Sequence, residues 1–193
     1  MEDYILDLKA GKEQGWEIFY ENYFALLRGF CGHYVQNRND AEDLAQEVII
    51  RVRQKIHTYD ENRPFKPWVY QVARNICLNT IRDKKRSQQA HKWAWSKSFY
   101  ATTTKIHVLD SRPSPQSEIC KQEQDDCLGE CMDSLSEDHR TVLLLKYAEN
   151  LSRKDMAEVL DIPIATVKSR LFHALKHMRK NFDSSTKSFS KNI

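Results

Sequence analysis

Apolar residues recur along this chain at three- and four-residue intervals, and the two-residue alternation of a half-buried strand is missing. Trp16, Phe19, Tyr20, Tyr23, Leu27 and Phe30 form one helical stripe. Arg38–Asp40 breaks it. Ala41, Leu44, Ala45, Val48, Ile49, Val52 and Ile56 form the next, with Asn39 or Asp40 as the expected N-cap. Residues 59–67 carry two prolines among polar side chains and predict a loop. A third stripe, Val69, Val72, Ala73, Ile76, Thr80 and Ile81, runs into the bases Arg82, Lys84, Lys85 and Arg86.

Periodicity then fails. Residues 87–117, with Thr102–Thr104 and a Ser-Arg-Pro-Ser-Pro run at 111–115, read as a linker with room for one short aromatic helix at 93–100. Helical spacing returns at Ile119 and lasts to Phe182, and the Ser/Lys-rich end predicts a disordered tail. The expected fold is all-α: two small helical domains joined by a flexible linker. The second is a helix-turn-helix of winged-helix-like type without strands. The expected boundaries are 1–92, a linker at 93–127, 128–182, and a tail at 183–193.

Charge sharpens this picture because it is segregated. From Arg63 to Lys97 there are nine Lys or Arg and one acid, Asp83. From Glu118 to Asp138 there are eight acids and one base, and from Pro163 to Lys180 five bases and no acid. Two basic blocks flanking an acidic one suggest two polyanion-facing surfaces on one chain, although a net charge of +3 hides them. No segment approaches the about 20 apolar residues of a membrane span. Met1–Lys9 lacks the layout of a signal peptide, so the expected compartment is the cytoplasm.

The strongest motif lies near the C-terminus. Ser152 with Asp155 three residues later makes a capping box, and Met156, Ala157 and Leu160 face inward. Asp161-Ile162-Pro163 makes a turn. The following helix buries Val167, Leu171, Ala174, Leu175 and Met178, and presents Thr166, Ser169, Phe172, His173 and Lys176, flanked by Lys168 and Arg170. A recognition helix needs one face for its core and one for the major groove. Hydroxyls and an imidazole can read base edges, Phe172 can touch a thymine methyl, and the bases can neutralise phosphates.

The third stripe carries a second set. Trp68, Arg74, Asn75 and Asn79 lie beside its apolar arc, and the preceding loop supplies Tyr59, Asn62, Arg63, Phe65 and Lys66. Aromatics, amides and bases in such a mixture can stack on and hydrogen-bond unpaired bases. Equally, Phe65 and Trp68 can simply pack the loop onto its helix. The acids Asp40, Glu42, Asp43 and Glu47 suit the N-terminus of the second helix by the helix dipole, or a basic protein partner.

Together these segments resemble the extracytoplasmic-function (ECF) sigma factors of bacterial RNA polymerase, within the sigma-70 family. Asp40–Val48 (DAEDLAQEV) resembles the family's polymerase-clamp-binding helix, and Phe65–Asn75 (FKPWVYQVARN) its promoter-melting segment. Leu151–Leu160 (LSRKDMAEVL) and Ala165–Ala174 (ATVKSRLFHA) resemble its second DNA-reading domain. The resemblance implies that Asp43, Gln46 and Glu47 contact core polymerase. It implies that Asn62, Arg63, Phe65, Lys66, Trp68, Arg74 and Asn75 serve the minus-ten element. Thr166, Lys168, Ser169, Arg170, Phe172, His173 and Lys176 would then read the minus-thirty-five duplex. It further implies promoter-specific initiation without catalysis, no cofactor, and restraint by an anti-sigma factor. Three positions depart from family habit: Asp161 and Ala165 stand where glycine is frequent, and His173 where many members have arginine.

The five cysteines are expected to be thiols. Cys120, Cys127 and Cys131 fall at helical spacings of seven and four, with His139 further on. A metal or redox switch is conceivable there, but the two-residue Cys pairs of zinc sites are absent, and small buried thiols are ordinary core residues. No metal ligand set is assigned. The competing function is a stand-alone helix-turn-helix regulator, which would leave the melting residues idle. An enzyme on nucleic acid lacks a phosphate loop or nucleophile–base signature, and sheet-based RNA modules lack their strands.

Overall fold

The computed structural model describes residues 4–35, 37–87, 129, 131–132 and 134–189, with only the backbone of residues 84–87 and 182–189. Every regular element among these residues is helical, and no strand occurs among them. They divide into two compact units.

The first unit opens with α1 (Tyr4–Lys9) and α2 (Glu13–Gly32). The stripe pattern gave no sign of α1. Its Ile5 and Leu8 are buried, and Gly11 turns the chain with φ +72°. Gly15 is where α1 and α2 meet most closely: a Cβ there would lie 2.8 Å from the Cβ of Asp7, so any larger residue would force the helices apart. On α2, Trp16, Phe19, Tyr23, Leu27 and Phe30 are buried as their spacing predicts. Tyr20 is not. It is 46 % exposed and stacks on Phe24 at 4.7 Å along the outer face, so it leaves the stripe.

Helix α3 (Arg38–Lys55) starts earlier than expected. Its N-cap is Asn37, whose side-chain oxygen accepts the Asp40 backbone N–H at 2.7 Å, rather than Asn39 or Asp40. Ala41, Leu44, Ala45, Val48 and Val52 are buried. A 3-10 turn, Ile56–Thr58, leads to a loop and α4 (Phe65–Ser87). The expected loop therefore ends three residues sooner. Pro67 sits in the first turn of α4, where no intrahelical bond needs its missing N–H. Val69, Tyr70, Ala73 and Cys77 are fully buried. Cys77 and Cys31 touch at an Sγ–Sγ distance of 3.7 Å; their hydrogen bond and burial push the Cys77 thiol up, which keeps it unreactive.

In the second unit, α5 (Glu137–Leu143) is capped by Ser136 and widens into a π turn, Leu144–Ala148. The Glu149 N–H reaches the Leu144 carbonyl at 3.1 Å, and Asn150 ends the segment at φ +52°. Helices α6 (Arg153–Leu160) and α7 (Ile164–Phe189) follow. Val142, Leu145, Met156, Val167 and Ala174 are fully buried. Because α7 continues to Phe189, residues 183–189 are helical rather than part of a disordered tail. Cys131 is buried, in keeping with a core thiol. Cys120, Cys127, the linker and the aromatic segment at 93–100 lie outside the described residues.

The capping box at the start of α6 forms in both directions. Ser152 N–H bonds Asp155 Oδ2, and Asp155 N–H bonds Ser152 Oγ, each at 3.1 Å. Ser152→Ala should weaken this end of the helix by about 1 kcal/mol, speeding amide exchange at Asp155 roughly fivefold. Unchanged exchange there would mean that the cap contributes nothing.

Candidate nucleic-acid interfaces

The loop before α4 is ordered by its own polar groups. Asp60 Oδ1 accepts both the Asn62 backbone N–H at 3.0 Å and the Asn62 side-chain amide at 2.9 Å. These two bonds, with smaller help from Arg63 and Lys9, hold the Asp60 carboxyl below its usual range. Asn62 is thus committed to the loop, while the Arg63 side chain remains exposed. The Tyr59 hydroxyl donates to the Arg63 carbonyl and closes the turn.

Phe65 goes inward. It is 6 % exposed, with ring centroids of Tyr4, Phe19, Tyr23, Tyr59 and Trp68 between 5.1 and 6.3 Å away. Of the two roles the sequence left open for this ring, packing is the one it performs. Trp68 sits one turn further along α4 and is only half-buried, with one side against Tyr59 at 5.3 Å. It lines a groove of about 410 Å³ between α3 and α4, together with Asn75 and Asn79 on α4 and Arg51, Lys55 and Thr58 opposite. Lys66 stands over the Tyr70 ring at 5.7 Å, and Arg74 is half-buried. The residues missed from sequence are those on the α3 wall. Their signal was the Glu47–Arg51–Lys55 ladder at i, i+4 spacing, readable as one face only once α4 is laid beside it. Asp43, Gln46 and Glu47 are all exposed on α3.

In the second unit the turn between α6 and α7 has Asp161 at φ +54°, the left-handed geometry that glycine usually supplies. The Ile162 N–H bonds the Ala157 carbonyl at 3.1 Å and completes the turn. On α7, Lys168, Ser169, Phe172, His173 and Lys176 are exposed, and Phe172 reaches 64 %. Thr166 is half-buried. Arg170 is tied to Asp138 on α5 at 2.8 Å, so it braces the helix before it can meet a phosphate. Leu175, expected inside, is 45 % exposed and extends the outer apolar surface of α7. Among the described residues, no three His, Cys, Asp or Glu side chains are gathered to hold a metal ion. No helix among them is long and apolar enough to cross a membrane.

A groove bearing Trp and amides in one helical unit and a basic, aromatic-bearing helix-turn-helix in another define a two-module DNA-directed protein. Residues 19–87 match the family model of sigma-70 region 2, and residues 125–178 match that of sigma-70 region 4. The chain is 28 % identical over 176 residues to the ECF RNA polymerase sigma factor SigW of Bacillus subtilis, covering 91 % of this chain and 93 % of that one. It is 27 % identical over 168 residues to the ECF RNA polymerase sigma-E factor of Haemophilus influenzae, covering 86 % and 87 %. A solved structure of the sigma factor RpoE with the anti-sigma factor NepR, from Bartonella quintana, shares the fold. Its TM-score is 0.63 at 19 % identity, over 86 % of this chain and 96 % of that one. The chain belongs to the sigma-70 family, as a sigma factor of the ECF type. It directs promoter-specific transcription by RNA polymerase, and a stand-alone regulator is not favoured.

Proposed function

We propose that α3 docks this protein on core RNA polymerase through Asp43, Gln46 and Glu47. The groove and loop of the first unit then engage the separating minus-ten strand. Trp68 offers a ring for stacking, Asn75 and Asn79 offer amides for base edges, and Arg63, Lys66 and Arg74 supply positive charge. Asn62 and Phe65 hold that loop in shape. In the second unit, Thr166, Lys168, Ser169, Phe172, His173 and Lys176 read the minus-thirty-five duplex in the major groove, with Arg170 bracing the helix against Asp138. Residues 1–92 and 128–182 are the two working domains, with 93–127 spanning between them. The protein acts in the cytoplasm and catalyses nothing itself; chemistry stays with the polymerase.

The observation that carries this reading is the occurrence of both sigma-70 regions, in order, on one chain. The test is transcription by core polymerase with the purified chain from a randomised promoter library. A narrow promoter set is expected; duplex binding without polymerase association would overturn the reading. Phe172→Ala with His173→Ala should lower use of the selected upstream element at least about tenfold, the worth of one good base contact, with polymerase affinity unchanged. Equal loss of both would mean that the pair supports folding and not reading.

RpoE of Bartonella quintana was solved with an anti-sigma factor bound. We extend this to an inhibitory partner for the present chain, which would cover the two DNA-facing surfaces at rest. Native purification from unstimulated cells should recover that partner; a free, fully active chain would count against it.

A further inference from the structure

Three imidazoles meet beside the reading face of α7. His173 and His177 lie one helical turn apart on α7, and His139 approaches them from α5, with ring centroids 6.4 Å from His173 and 5.9 Å from His177. His173 and His177 are exposed and His139 is half-buried. Phe172, the most exposed apolar residue of the reading face, stands edge-on to His173 at 5.5 Å. The cluster therefore continues the surface assigned above to duplex DNA.

Its electrostatics are one-sided. The groups acting on His139 are Asp138 on its own helix and Arg170, His173 and His177 on α7. Asp138 alone favours a charged ring, and it is already paired with Arg170 at 2.8 Å. Partial burial first, then His177 and His173, hold His139 below the ordinary imidazole range. The sign follows. Between the lowered folded value and the ordinary unfolded one, the unfolded chain binds more protons, so acidification costs stability when no anion is near. A phosphate against these rings removes that cost, because it neutralises the charge that the cluster cannot neutralise for itself.

We propose that His139 and His177, beside the base-reading His173, form a proton-loaded contact for a backbone phosphate of the upstream promoter duplex, so that minus-thirty-five binding takes up protons and tightens as pH falls. The inference rests on the duplex-reading role of α7 and adds to it two residues, His139 and His177, and a dependence on pH. Protein contacts to phosphate position the reading helix without specifying sequence. His139 and His177 should therefore change affinity at all upstream sequences alike and leave the selected sequence unaltered.

The experiment uses the full chain with core polymerase on the duplex that wild-type holoenzyme selects from a random upstream library, at constant ionic strength. Uptake of one proton tightens binding by up to about tenfold for each pH unit over which it occurs. The wild type should show this excess over the His139→Gln/His177→Gln variant, which keeps the proposed base-reading residues. Equal slopes for the two proteins overturn the proposal. Independently of the variant's folding, the imidazole proton resonances of the wild-type chain should move toward the charged form when the duplex is added near neutral pH. Rings that titrate identically with and without duplex also overturn it. Inorganic phosphate at the same ionic strength should not reproduce that shift; if it does, the site takes free anions and the assignment to DNA fails. If the holoenzyme selects no upstream sequence at all, the duplex-reading role itself falls, and this inference with it.

Discussion

Phe65→Ala should unfold much of the first unit and not merely dull promoter melting. The ring is buried among five other aromatic rings drawn from α1, α2, the loop and α4. Emptying that volume costs about 3–5 kcal/mol, which is a large part of the about 5–15 kcal/mol that separates folded from unfolded states in an ordinary domain. Trp68→Ala makes the contrast. That ring is half-buried and faces a groove, so its removal should cost about 1–2 kcal/mol while abolishing strand capture. Urea unfolding followed by circular dichroism measures the first quantity, and chemical reactivity of unpaired thymines measures the second. A Phe65→Ala protein that folds with wild-type stability but fails to open promoters would put the ring in the DNA contact set after all.

Asp43→Arg should cost at least about thirtyfold in affinity for core polymerase, the lower end of what breaking an interfacial charge contact costs. The side chain is exposed on α3, three and four residues before Gln46 and Glu47, so the three form one outward stripe. Its replacement touches nothing in the core, and stability should stay within about 0.5 kcal/mol. Titration of labelled core polymerase with the variant gives the affinity directly. If both Asp43→Arg and Glu47→Arg bind as tightly as wild type, α3 is not the docking face.

Most helices were legible from spacing because a helix that buries one side must repeat its apolar residues every three or four positions. The failures have separate causes. Helix α1 is too short to repeat its pattern, and what holds it is packing at Gly15. The prolines of the loop suggested a later start for α4, but a first-turn proline costs a helix nothing. Tyr20 and Leu175 obey the helical period yet sit on the outer side, because periodicity marks a candidate face without showing how far the partner helix covers it. The π turn at Leu144–Ala148 leaves no mark in apolar spacing, since the one-residue slip is taken up within a single turn.

The same division runs through the candidate sites. The capping box, the left-handed Asp161 turn and the exposed Phe172 rest on near neighbours in sequence, so local chemistry was enough to find them. Local sequence likewise determined the helical class of the chain, its two basic blocks, and the helix-turn-helix. Tertiary structure alone decided that Phe65 packs while Trp68 faces a groove and that Arg170 is spent on Asp138. It also brought His139 to the two histidines of α7. Each of those outcomes depends on a partner from another helix or turn, and the free energy of burial or pairing is fixed by which partner arrives, which spacing along one helix does not specify.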